Sequence, residues 1–152
     1  MTAGAVGDTP DRLTVTAANR PEESTRLAAA IGTFAETHAL TPRAVLHLDM
    51  AVEEIVSNAI KYGFKDAPVR EDAIELCLTF GGDRITIRIA DYGRPFDPLS
   101  QAPEPDTSAT VEDRAIGGLG VHIVKTVMTE MRYTRDGDRN ILVMTLPLTD
   151  HS

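Results

Sequence analysis

The sequence has one cysteine, Cys77, among its 152 residues. That excludes an internal disulfide and any cysteine-based metal cluster. Cys77 stands in the strand-like run DAIELCLTF and reads as a small buried apolar residue, not a reactive thiol. Positive charge is also scarce: 15 Lys and Arg stand against 23 Asp and Glu, a formal net charge of −8. That balance disfavours nonspecific nucleic-acid binding and binding to anionic membrane surfaces. No apolar run approaches the roughly 18 residues of a membrane span. The opening MTAGAVGDTPD lacks the charged and apolar regions of a secretory signal, so a cytoplasmic location is the expectation. There are no internal repeats. What is present is ordinary for one globular domain: hydrophobic residues make up 42% of the chain. A chain of this length buries roughly 70% of its unfolded surface and needs no staples.

Residues 1–10 are small and polar and are expected to be disordered. The domain is expected over 11–148, with 149–152 as a tail. RLTVTAA, from Arg12, alternates like a short strand. Pro21, Glu22 and Glu23 then open a helix with acids in its first turn, ending near His38 to Leu40. Thr41 as N-cap and Pro42 at the first position start a second helix, expected to run from Arg43 to about Tyr62 with Gly63 as its C-cap. Val45, Leu48, Val52, Ile55, Val56 and Ala59 form its apolar sector. His47, Glu54, Asn58 and Lys61 fall on nearly the opposite side, which taken alone reads as a solvated face.

Residues 72–80 and 84–90 alternate around Gly81-Gly82-Asp83 and predict an antiparallel hairpin with one buried face. A second hairpin is predicted from residues 131–135 and 140–148 around Asp136-Gly137-Asp138. On its last strand Ile141, Val143 and Thr145 share one face, and Leu142, Met144 and Leu146 share the other. Between the hairpins lies the stretch around which the chain is organised. A strand ends in Asp91 and turns at Gly93. A long loop follows, with Pro98, Pro103 and Pro105. Then Gly117, Gly118 and Gly120 open a helix expected to reach about Glu130, with Val121, Ile123, Val124 and Val127 as its apolar stripe. A helix N-terminus offers unpaired N–H groups and partial positive charge to phosphate oxygens, and glycine permits close approach. A loop this long in a small domain points to function or disorder. The arrangement suggests a nucleotide site under a mobile cover.

Three motifs in order carry a resemblance: E-x-x-x-N at Glu54 and Asn58, DYGRPFDP from Asp91, and GGLGVHIV from Gly117. They resemble the nucleotide-binding boxes of the Bergerat-type ATPases, the superfamily of gyrase, histidine kinases and mismatch-repair ATPases. The short single-domain form, the P-F-D-P ending and the terminal RNILVMTLP are most similar to the bacterial anti-sigma-factor serine kinases. The resemblance spans roughly residues 12–148. It implies an α+β fold, a two-layer sandwich of a mixed, mostly antiparallel sheet with helices on one face. It implies ATP and Mg²⁺ as cofactors and residues 97–117 as an ATP lid.

Carried over residue by residue, the resemblance makes Glu54 the catalytic base and Asn58 the Mg²⁺ ligand, one helical turn apart. Mg²⁺ needs few protein ligands when phosphate and water complete its octahedron. Asp91 maps to the acceptor of the adenine amino group, a charge-assisted bond that guanine cannot supply. Gly93, Pro95 and Phe96 line the base, and Gly117, Gly118, Leu119, Gly120 and Val121 face the phosphates. Thr145, expected inward on the last strand, is a further candidate for the adenine edge. Lys61 and Arg114 are candidates to neutralise phosphate charge. Pro95 departs from the superfamily, much of which has a second glycine there; it removes one N–H and stiffens the turn. His38, His47 and His122 lack the context of a phosphoacceptor.

The implied function is that of a protein serine/threonine kinase that phosphorylates a small anti-anti-sigma protein and sequesters a sigma factor, as a homodimer. The alternative is a nucleotide-gated binding module without kinase activity. Glu54 favours the kinase, because a binding module needs no carboxylate one turn before the magnesium ligand.

Overall fold

The computed structural model describes residues 11–100 and 119–148. The first ten residues, the tail 149–152 and all of the expected lid beyond residue 100 lie outside them, as do Arg114, Gly117 and Gly118. In chain order the elements are β1 (Arg12–Ala17), α1 (Glu23–Thr37), α2 (Pro42–Asn58), a π-helical turn (Ala59–Gly63), β2 (Ile74–Phe80), β3 (Arg84–Asp91), α3 (Leu119–Val127), β4 (Glu130–Asp136) and β5 (Arg139–Pro147). The strands form one five-stranded sheet in the order β1-β2-β3-β5-β4. All four pairings are antiparallel, so the expected mixed character is absent among the described strands. The α+β class with helices over one sheet face stands.

Strand alternation sets the two faces. Ile74, Leu76 and Leu78 of β2, Ile85, Ile87 and Ile89 of β3, and Leu142, Met144 and Leu146 of β5 are all buried toward the helices. Leu27, Ile31 and Phe34 of α1, Leu48, Val52, Ile55 and Val56 of α2, and Val124 of α3 meet them in a single core. Truncating one of these, such as Leu76→Ala, would cost about 2–5 kcal/mol.

The start of α2 follows its sequence signals. Thr41 Oγ1 accepts a 3.2 Å bond from the Ala44 N–H, and Pro42 occupies the first turn, where no N–H is needed. Its end differs from expectation. The α-helix stops at Asn58 and continues as a π turn, closed by a 3.0 Å bond from Phe64 N to Ala59 O. Such turns concentrate at functional sites, and no side-chain periodicity announces them. The expected solvated face of α2 is also corrected: Asn58 is only 3% exposed. Helix α3 ends at Val127, sooner than expected. Its buried residues are Val121 and Val124, with Met128 buried just past its end, while Ile123 is 39% exposed.

Candidate nucleotide site

The site is built where β3 ends and β5 begins, beneath α2 and the π turn. Asp91 closes β3 on the helix-facing side, in line with Ile89, and is 7% exposed. Its Oδ1 accepts two bonds, from Gly93 N at 2.8 Å and Asn140 Nδ2 at 2.9 Å. Burial pushes the Asp91 carboxyl above the ordinary aspartate value; those two bonds and the charges of Arg135 and Arg139 oppose the shift. A narrow cleft opens beside it, lined by Ile55 and Ala59 above and by Ile89, Asp91, Tyr133, Asn140 and Leu142 below. Phe96 and Pro98 complete its wall. Its lining, mostly apolar with a few convergent polar groups, is of the kind that receives small molecules.

Gly93 is required here by close approach. A β-carbon on it would lie 2.9 Å from the Gly63 carbonyl oxygen and 2.9 Å from Asp91 Oδ1. The π turn and the turn after β3 thus touch backbone to backbone, tied by Arg94 N to Gly63 O at 3.0 Å. Arg94 Nε also reaches the Tyr62 carbonyl at 2.9 Å, and the Tyr62 and Phe96 rings stack with centroids 5.3 Å apart. Pro95 is exposed at the rim.

The second half of the site lies further back along α2. Asn58 Nδ2 donates to Glu54 Oε2 at 2.9 Å. That leaves the Asn58 carbonyl oxygen free of the pair, a hard oxygen of the kind that Mg²⁺ accepts. No group of three or more His, Cys, Asp or Glu is arranged for a metal among the described residues. Mg²⁺ at Asn58 would therefore depend on phosphate and water for most of its shell, which fits its coordination habits. The opposite carboxylate oxygen of Glu54 faces the first turn of α3: a β-carbon on Gly120 would stand 2.1 Å from Glu54 Oε1. Glu54 and the start of α3 are therefore in direct contact.

The fold brings Glu54, Asn58 and Gly120 together, and brings Asp91, Gly93 and Phe96 together. Leu119 begins α3, and Val121 is buried in its first turn. Lys61 is exposed, with Nζ 5.5 Å from the Tyr62 ring. Thr145 is not at the cleft. It pairs with Thr86 and Glu130 and points away from the helices, because strand parity puts Met144 and Leu146 on the inner face. The inner polar residue of β5 is Asn140, which was missed. Its parity with Leu142 and Met144 was a usable signal: an amide on the core side of a strand calls for partners. Tyr133, the other omission, donates its hydroxyl to Asn140 Oδ1.

A family model described as the histidine kinase-like ATPase domain matches residues 17–146. The chain belongs to that family. The serine-protein kinase RsbW of Listeria monocytogenes is 26% identical over 129 residues, 83% of this chain and 81% of the relative. The serine-protein kinase RsbW of Bacillus pumilus is 32% identical over 87 residues, 55% of this chain and 54% of the relative. A crystal structure of the RsbU and RsbW domains of a Mycobacterium tuberculosis protein matches 93% of this chain with a TM-score of 0.66 and 14% identity. This chain spans 33% of that longer one, and at such identity the likeness bears on fold alone. The resemblance to the anti-sigma-factor kinases of this ATPase superfamily, drawn from three short motifs, is borne out.

Proposed function

We propose that this chain is a Mg·ATP-dependent protein serine/threonine kinase of the anti-sigma type. The observation that carries the reading is the Glu54–Asn58 pair. A carboxylate is hydrogen-bonded to a buried amide one helical turn away, and the carboxylate lies beside the first turn of α3. In the reading, Asp91 accepts the adenine amino group in the cleft and the first turn of α3 faces the phosphates. Asn58 would hold Mg²⁺, which when bound would neutralise phosphate charge. Glu54 would accept the proton of an incoming serine or threonine hydroxyl. Phosphoryl transfer depends chiefly on such positioning and charge neutralisation. Lys61, exposed in the middle of the π turn, is available to a phosphate oxygen.

The names of the relatives support the serine-kinase chemistry. The acceptor we propose is a small anti-anti-sigma protein, with a sigma factor as the sequestered partner, in a homodimeric cytoplasmic protein acting in a stress response. The segment 97–117 is proposed as the ATP lid of a single domain spanning 11–148. No described helix is long and apolar enough to cross a membrane.

The test is transfer from γ-labelled ATP to the anti-anti-sigma-like protein encoded nearest this chain, with wild type and Glu54→Gln side by side. Label on a serine or threonine with wild type alone, and equal nucleotide binding in both, is the expected result. Intact binding with no label on any acceptor would favour the nucleotide-gated binding module.

A further inference from the structure

We propose that Asn140 sets which purine the cleft accepts, by holding Asp91 Oδ1 and leaving Oδ2 as the acceptor offered to the base. The proposal rests on the reading of this cleft as the nucleotide-base site. It begins with the orientation of the Asn140 amide, 4% exposed at the start of β5. Asn140 Oδ1 accepts from Phe96 N at 3.1 Å, from the Tyr133 hydroxyl and from Arg135 Nη1 at 3.3 Å. Asn140 Nδ2 meets only acceptors: Asp91 Oδ1 at 2.9 Å, Arg94 O at 2.8 Å and Gly93 O at 3.5 Å. Turning the amide over would set an NH₂ against two obligate donors, Phe96 N and Arg135 Nη1, and a carbonyl against three acceptors. The network therefore assigns the oxygen and nitrogen of Asn140 without ambiguity.

The consequence falls on residue 91. With Asn140 Nδ2 and Gly93 N both donating to the same atom, that atom must be an acceptor. In Asp91 the remaining oxygen, Oδ2, receives no bond from the described residues and is also an acceptor. It selects a base with a donor at the purine 6-position, which is an amine. An asparagine at 91 would have to keep its own oxygen on Asn140 and Gly93. Its NH₂ would then stand where Oδ2 was, and an acceptor would have become a donor. The cleft would favour a 6-oxopurine. Asp91→Asn, nearly isosteric, should therefore do more than weaken binding: it should reverse the choice of base. Asn140 is a positioning residue in this scheme, because its effect on the base is transmitted through residue 91.

The probes are ADP and inosine diphosphate, which differ at the 6-position and its adjoining ring nitrogen. Binding is measured by calorimetry on the full chain. Wild type should prefer ADP by about tenfold or more, the worth of one charge-assisted hydrogen bond. Asp91→Asn should prefer inosine diphosphate, and Asp91→Asn/Asn140→Ala should lose most of that preference because residue 91 is then held by Gly93 N alone. Melting of each unliganded variant checks folding; if the double variant does not fold, Asn140→Ser, whose shorter side chain leaves residue 91 unreached, replaces Asn140→Ala in it. The single Asp91→Asn variant already tests the idea. Equal weakening toward both nucleotides would overturn it, as would the same preference in single and double variants. Wild type that binds neither nucleotide would instead remove the base-site reading itself.

Discussion

Gly93 packs on the carbonyl of Gly63 so closely that a β-carbon on Gly93 would stand 2.9 Å from that oxygen, whereas a β-carbon on Gly63 would meet nothing nearer than 3.9 Å. The two glycines face each other, yet only one is sterically required. The neighbour of Gly93 is backbone, held by the π turn, and no side-chain rotation relieves the clash. Gly93→Ala should destabilise the protein by about 1–3 kcal/mol, the usual range for overpacking. Gly63→Ala should be tolerated. Paired denaturant titrations of the two variants check this. Equal losses would mean that the π turn gives way more readily than its bonds suggest.

That relationship also marks what could be read in the sequence and what could not. Asp91 and Gly93 are two positions apart, as are Pro95 and Asp97, so their spacing survives as a motif. Glu54 and Asn58 are legible for the same reason: both sit on α2, one turn apart. The contact between Gly93 and Gly63 joins segments thirty residues apart through a π turn that leaves no periodic trace. Asn140 was legible in principle, since Leu142, Met144 and Leu146 mark its face of β5 as buried. Thr145 was placed inward against that same parity. The polar residue of β5 that lines the cleft thus stands at the beginning of the strand, not near its end. Ile123 shows the limit of an apolar stripe: α3 is nine residues long, and sheet and α2 cover only one side of it.

The buried carboxylate of Asp91 gives the unliganded protein a pH signature. Burial makes Asp91 harder to ionise in the folded state than in the unfolded state. Between the ordinary aspartate value, about 3.9, and the raised folded value, the folded chain holds more protons than the unfolded one. Stability therefore falls as pH rises through that window, and the full penalty persists above it. Asparagine at 91 carries no charge to desolvate. Unliganded Asp91→Asn should be at least as stable as wild type at pH 7, with a flatter decline in stability as pH rises from about 4. Asp49, also raised by burial, is common to both proteins and cancels in the comparison. Melting curves across pH measure it; lower stability of the variant at neutral pH would show that the ionised carboxylate is a net benefit to the empty fold.

Nucleotide and metal should act on stability in separable ways. A ligand that binds only the folded chain, at a hundredfold excess over its Kd, adds about 2.7 kcal/mol. Mg·ATP should raise the melting temperature more than ATP with a chelator. In Asn58→Ala the added effect of Mg²⁺ should shrink while the metal-free ATP effect persists, because the cleft around Asp91 is untouched. Metal-independent stabilisation in wild type would remove Asn58 from the metal assignment.

Gly120 offers the sharpest separation of stability from chemistry. Alanine there would bring its β-carbon to 2.1 Å from Glu54 Oε1, 2.3 Å from Cδ and 2.9 Å from Cγ. All three atoms belong to a flexible side chain, so the fold can absorb the change by moving Glu54 away. Alanine is also the better helix former, by up to about 1 kcal/mol in a helix interior. Gly120→Ala should therefore melt close to wild type. The displaced carboxylate, however, would leave its bond to Asn58 and its place beside α3. Phosphoryl transfer should then drop toward the level of Glu54→Gln, a loss of about 10²–10⁴-fold if Glu54 serves as the general base. Gly93→Ala meets backbone and loses stability; Gly120→Ala meets a movable carboxylate and loses transfer. Full transfer by Gly120→Ala, with its fold intact, would mean that Glu54 performs its task from a position other than the one it holds against α3.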